Sequence, residues 1–409
     1  MSKNPNQPPE QGQVSDPDQS IRSQPDSEQS PNSQVQPSGP LASSSKSQHP
    51  SNPMDQPQKS QQGQKTQQAK KAQTQKADSK VKFQPEITEE QLKTYYRDHF
   101  DTNLLWKVMD KGSFPRREFG FDRVGHFFTR NKSFANPSDL KEYMSIYATK
   151  AAYAGAIYAD PVRTKTKKYN AFTIHDTEWM GRELIFDLDA NDYDPVRQCD
   201  CKGRDVCEIC WGLIQDAAVI MDETLRVDFG FKKLQWVFTG GRGYHCWVLD
   251  RETLTLSQEQ RSGLVNYMQL IHDPGDGQRV EKITNSSVLL NERIVRLLTK
   301  RFVLESRPIV LEEIGIKKTA RATMIRKLKE KNYKELIDII PRKVTYEQFF
   351  EQMVKYRYAR IDHKVTIDTR RLIRLPGSVH SHTGYVGQYI DNPESFFPED
   401  AKHIQDITG

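Results

Sequence analysis

Apolar positions are unevenly spread along the 409 residues. Over the first 80 they are sparse. Phe, Tyr and Trp are absent there, and Gln, Ser, Pro and Asn fill the space. Such a stretch cannot bury enough apolar surface to offset its ordering entropy, so it is expected to be a disordered tail. Order is expected from Val81. Thr88 and Gln91 form a capping-box start, and "EEQLKTYYRDHF" continues as a helix. Residues 136–159 read as one or two further helices, opened by Pro137 and Ser138. Leu184-Ile185-Phe186 is a compact apolar run and predicts a buried strand over 182–188. Residues 211–230 return to helical spacing and stop at Gly230. Two β-rich runs, 234–238 and 244–249, flank Gly-Gly-Arg-Gly and predict a hairpin. From 251 to about 345, Lys, Glu, Leu and Ile recur at helical spacing. A helix leading to a strand follows, then a strand, a turn and a strand. The β segments on both sides of the helical block predict an α/β core, 81–250 and 346–409, interrupted by a helical insert at 251–345.

Charge adds little to this picture. The net charge is +6, and the tail carries nine Lys/Arg against seven Asp/Glu, which leaves +4 for the rest. That permits a nucleic-acid partner without requiring one. No run of about 18 apolar residues occurs, so no membrane-spanning helix is expected. The start lacks the apolar segment of a secretory signal. Four of the five cysteines fall between 199 and 210, which suggests a metal site in a reducing compartment and not a disulfide framework.

Four stretches could carry chemistry. Asp187 and Asp189 end the first strand, and the period of two points both carboxylates the same way. Their repulsion becomes tolerable if a hard cation such as Mg²⁺ or Mn²⁺ sits between them; the alternative is a strand running into an acidic surface loop with Asn191, Asp192 and Asp194. Gly240, Gly241 and Gly243 let the backbone approach a ligand, and Arg242 and His245 flank them, although a plain hairpin turn uses glycines too. Cys199-x-Cys201 and Cys207-x-x-Cys210 offer four thiolates to Zn²⁺, or four free thiols. Cys246 reads as a small core residue. Residues 358–384 bring Asp362, Asp368, Arg370, Arg371 and Arg374 before a polar turn with Ser378 and His380. That suits a polyphosphate, or else a charged edge strand and a surface loop.

Taken together, "FDLDAND", the cysteine cluster, "GGRGYHCWVLD" and "RLIRLPGSVHSHTG" resemble the small catalytic subunit of archaeal and eukaryotic DNA primase, the archaeal form in particular, over about residues 85–395. The resemblance implies an archaeo-eukaryotic primase catalytic core with a zinc knuckle at 199–210 and the inserted helical subdomain. It implies that Asp187, Asp189 and Asp362 hold two catalytic Mg²⁺ or Mn²⁺ ions. Arg242 and His245, with Ser378, His380 and Arg374, would bind a nucleoside triphosphate, and Arg117 would stand near the active centre. Zn²⁺ would be structural, on Cys199, Cys201, Cys207 and Cys210. The implied activity is DNA-dependent nucleotidyl transfer that makes short RNA primers de novo on single-stranded DNA for replication. The implied partner is a large primase subunit in a heterodimer, with no membrane contact and a cytoplasmic, nucleoid-associated location. Two alternatives stand beside it: a repair-type polymerase of the same superfamily, and a catalytically silent nucleic-acid-binding subunit. The Cys-x-Cys spacing departs from the family, which leaves Cys199 the weakest ligand, and the tail lies outside the family pattern.

Overall fold

The computed structural model describes residues 87–163, 173–201, 203–268, 271–272, 282–283, 292–331 and 335–409. The expected tail lies outside the described residues. The chain opens with the capping box read from the sequence: the Thr88 hydroxyl accepts from the Gln91 N–H at 3.2 Å, and helix α1 (Glu89–Thr94) follows. Its last residues run into a π-helical turn, Tyr95–His99.

Two antiparallel sheets frame the core. In the first, β1 (Arg117–Arg123) pairs with β2 (Thr129–Lys132) on one side and β3 (Thr149–Tyr158) on the other; β4 (Trp179–Gly181) also joins β3. In the second, β5 (Leu184–Asp189) pairs with β7 (Gly243–Val248), which pairs with β6 (Leu234–Phe238). Two short strands from the far end of the chain complete the sheets. β10 (Ile373–Arg374) adds to β3, and β11 (Gln388–Ile390) adds to β6. The hairpin and the apolar strand therefore stand where the sequence pattern put them.

Residues 136–159 do not. They form α2 (Pro137–Ile146) and then β3, the central strand of the first sheet. The alanines of 151–156 suit either structure. What selects the strand is pairing on both edges, with Ala152 and Ala154 on the buried face beside Phe119 and Phe121 of β1. Neighbouring strands thus overrode local periodicity.

The second sheet is buried on both sides. Leu184, Phe186 and Leu188 enter one apolar cluster with Trp211, Phe238 and Tyr244, while Ile185, Val237 and Trp247 enter the cluster of α1, α2 and the first sheet. The described part of 251–345 is mainly helical: α4 (Gln258–Met268), α5 (Glu292–Glu305), α6 (Pro308–Glu312) and α7 (Lys318–Glu330), with β8 (Ile271–His272) paired to β9 (Lys282–Ile283). A buried ion cluster ties this block to the core. Asp216 of α3 (Glu208–Val227) meets Arg357 of α8 (Tyr346–Arg357) at 2.8 Å and Arg301 of α5 at 3.3 Å. Among the described residues no helix is long and apolar enough to cross a membrane.

Candidate active site

Strand register decides what meets at the end of β5. Asp187 lies opposite His245, and Asp189 opposite Gly243. Ile185, Asp187 and Asp189 share one face by alternation. Ile185 is buried, and the two aspartates emerge half-buried. His245 Nε2 stands 3.7 Å from Asp187 Oδ1, and Arg242 Nη2 3.2 Å from Asp189 Oδ2. The other end of the Arg242 fork donates to the Gly203 carbonyl at 2.8 Å. A side chain at 243 is impossible here, since a Cβ would fall 1.8 Å from the Leu188 carbonyl oxygen. At Gly241 a Cβ would meet the His380 ring at 2.8 Å. Gly243 thus lets β5 approach β7 closely, while Gly241 and Gly240, whose Cβ would fall 2.7 Å from the Tyr385 carbonyl oxygen, let the 378–385 turn close over the hairpin and bring His380 to it.

The third carboxylate comes from a distant part of the chain. The helix after the insert was expected to lead into a strand, but no strand forms at Asp362. Asp362 instead caps the short helix α9 (His363–Ile367), accepting from the Lys364 N–H at 2.9 Å, while its own N–H donates to the Asp187 carbonyl at 3.2 Å. Burial, then the charges of Asp189, Asp362 and Asp192, hold the Asp187 carboxyl well above the usual carboxylate range. Asp192 is exposed on the turn Ala190–Tyr193 that follows β5. Partial burial and then Asp189 and Asp362 push it up to about 7. Sequence reading had left Asp192 in a surface loop; its position three residues after Asp189 was the available signal. Hard oxygen donors that raise one another's proton affinity fit a divalent cation such as Mg²⁺ or Mn²⁺.

Asp187, Asp189, Arg242 and His245 line a cavity of about 200 Å³ with Tyr153, Arg371, Arg374 and His380; Asp362 is outside this lining, bonded to the Asp187 backbone. Burial, then Arg374 and Arg182, pulls the His245 ring down to about 3, and burial, then Arg374, pulls His380 down to about 2. Both rings are therefore neutral at neutral pH. His245 Nδ1 is buried with no hydrogen-bond partner among the described residues. Arg374 lies over the Tyr153 ring at 5.3 Å. Tyr153 escaped the sequence reading because its segment was assigned to a helix, and Arg371 was named there only as one cation among several. A larger hollow of about 960 Å³ lies between α7 and residues 337–342, but among the described residues its one lining carboxylate is Asp338.

Two further residues implied by the resemblance, Ser378 and Arg117, do not reach the cavity. Ser378 is fully buried; its hydroxyl accepts from the Ala152 N–H at 2.7 Å and donates to the Val379 carbonyl at 3.2 Å, so it braces the turn against β3. Arg117 is also fully buried. It pairs with Glu183 at 2.5 Å and donates to the Gly155 carbonyl at 2.8 Å, behind the site.

Beside the cavity, the ligand atoms of Cys199, Cys201, Cys207 and Cys210 all lie within 4.8 Å of one another. Hydrogen bonds from Cys199 and Cys210 pull the Cys207 thiol down, and burial pushes Cys201 up to about 12. Cys199, the doubtful member by spacing, is part of the cluster. Four sulfurs so gathered can hold a metal ion such as zinc. Cys246 is buried in the core, as expected.

Two carboxylates, three arginines and two neutral histidines around one cavity, with Asp362 held against the Asp187 backbone, define a site suited to metal and polyphosphate chemistry. Residues 186–391 match the family of the DNA primase small subunit. The chain is 30% identical over 335 residues to the DNA primase small subunit of Thermococcus kodakarensis, covering 76% of this chain and 90% of that one. It is 31% identical over 330 residues to that of Methanothermobacter thermautotrophicus (77% and 95% covered) and 28% over 352 residues to that of Saccharomyces cerevisiae (76% and 83%). The chain belongs to the DNA primase small-subunit family and is a DNA primase enzyme.

Proposed function

We propose that the chain makes short RNA primers de novo on single-stranded DNA, by attack of a 3′-hydroxyl on the α-phosphate of an incoming nucleoside triphosphate in the cavity between the sheets. One observation carries this reading: Asp187 and Asp189 are registered against His245 and the Arg242 turn, with Asp362 hydrogen-bonded to the backbone of Asp187. Asp187, Asp189 and Asp362 would hold two divalent ions, which when bound would supply activation of the hydroxyl and charge for the leaving pyrophosphate. The side chains around them do the rest. Arg242, braced by Asp189 and Gly203, presents a planar fork to phosphate oxygens. Arg374, fixed over Tyr153, adds a second cation. His245 and His380, neutral, offer hydrogen bonds without adding charge that the aspartates would trap. The four cysteines hold a structural Zn²⁺, because four sulfurs leave no open position. The chain works in the cytoplasm at the nucleoid, as a heterodimer with a large primase subunit.

The test is synthesis by purified protein with nucleotides and Mg²⁺ or Mn²⁺ on an unprimed single-stranded template. De novo oligomers support the reading. Extension only of supplied primers would make this a repair-type polymerase, and no product at all would make it a silent nucleic-acid-binding subunit.

A further inference from the structure

We propose that the turn between β1 and β2 is a stacking platform for unpaired bases of a single nucleic-acid strand, continuous with the wall of the active-site cavity. The inference rests on the reading above only for which strand lies there.

Phe127 is 96% exposed and Phe128 52%, whereas Phe119 and Phe121 on the same hairpin are fully buried on the opposite face. An exposed ring at a turn can be incidental, but this pair is joined to the cavity. Phe128 meets the Tyr153 ring edge-on at 5.6 Å, and Tyr153 lies beneath Arg374 at 5.3 Å. Tyr153 and Arg374 both line the cavity. A row of rings and a guanidinium thus runs unbroken from the candidate chemistry to the turn. Glycines keep this face of the sheet shallow. A Cβ on Gly120 would fall 2.4 Å from Leu372 and 3.3 Å from Phe128, and a Cβ on Gly155 would fall 2.8 Å from Leu372. Leu372 is itself part of the cavity wall.

The surroundings select the occupant. Arg130 is engaged by Glu118 at 3.0 Å and Arg123 lies over Tyr143 and Tyr147, so the exposed polar and cationic groups beside the two phenylalanines are His126 in the turn and Arg371 next to Leu372. An apolar protein segment would need a broader patch with fewer charges. A nucleic-acid strand matches both features, because its bases cover ring faces and its phosphates meet cations. Stacking of this kind is indifferent to base identity, as a surface serving arbitrary templates requires.

The experiment measures equilibrium binding of the full chain to a fluorescent oligodeoxynucleotide, either intact or bearing abasic sites. The wild-type protein should prefer the intact strand. Phe127→Ala should weaken intact-strand binding about 5- to 150-fold, the range of one base–aromatic stack, and erase the preference over the abasic strand. Its melting temperature should be unchanged, since the ring is exposed, and the KM for nucleotide at saturating template should hold. Phe127→Trp should keep the preference. Asp187→Ala, used as a control, should bind like wild type, so failure of the primer-synthesis reading would leave this readout intact. Equal binding of the intact strand by wild type, Phe127→Ala and Phe128→Ala would overturn the platform and leave the turn to some other partner.

Discussion

Arg242 is held at rest by two acceptors, the Asp189 carboxylate and the Gly203 carbonyl. Both restrain the fork at the cavity edge, where a triphosphate would take over its bonds. Arg242→Ala should therefore raise the KM for nucleotide about 10- to 150-fold, the cost of a charge-assisted contact of roughly 1.5–3 kcal/mol. His245→Ala should do the same to a smaller degree, and steady-state incorporation kinetics check both. Ser378 is predicted to behave differently. Removing its hydroxyl leaves the buried Ala152 N–H without an acceptor, at about 1–3 kcal/mol. Ser378→Ala should lose that much stability in denaturant while its folded fraction keeps the wild-type KM. His380 gives a pH signature. The unfolded ring binds a proton near 6.5, the folded one only at about 2. The folded state is thus progressively disfavoured as pH falls below 6.5, and nothing is lost above it. Between about pH 6 and about pH 4, wild type should lose stability more steeply than His380→Gln, by at most about 1.4 kcal/mol per pH unit. Denaturant melts across that range measure it. At this scale the sequence was informative wherever chemistry is local. Asp187 and Asp189, the glycine turn and the cysteines are each readable in a few residues. Ser378 and Arg117 were not, because whether a polar side chain faces a cavity or a buried partner depends on strands far away in the chain.

The cysteine cluster is the element whose influence reaches furthest. Gly203, which holds Arg242, lies between Cys201 and Cys207. A metal bound by the four sulfurs would therefore also orient a phosphate-binding arginine. Protein purified without added zinc should carry about one zinc per chain. Cys207→Ser should lose it, melt at lower temperature and show a raised KM for nucleotide, while the aspartates keep some activity. Absence of zinc from the wild-type protein would sink the knuckle. The hairpin and the apolar strand were legible because their patterns are short and bounded by turns. Strand β3 was not. Its alanines and tyrosines fit a helix locally, and only its neighbours β1 and β10, one of them more than 200 positions away, make it a strand.

Across the whole molecule, the site exists because two sheets completed by late strands close on one cavity. β10 and β11 both follow the helical block, and they return the chain to sheets begun before it. That return could be inferred from β segments on both sides of a helical stretch. The way Asp362 reaches Asp187 could not, since it leaves α8 without a strand and is fixed by one backbone hydrogen bond. The central claim is that the carboxylates gathered by this closure are the nucleotidyl-transfer centre. The most direct test compares wild type with Asp187→Ala for nucleotide incorporation on a single-stranded template, alongside the melting temperature of each protein without metal. The account predicts that incorporation disappears in the variant while its metal-free melting temperature stays level or rises, because one of several mutually repelling carboxylates is gone. Near-normal incorporation by a folded Asp187→Ala protein would contradict it.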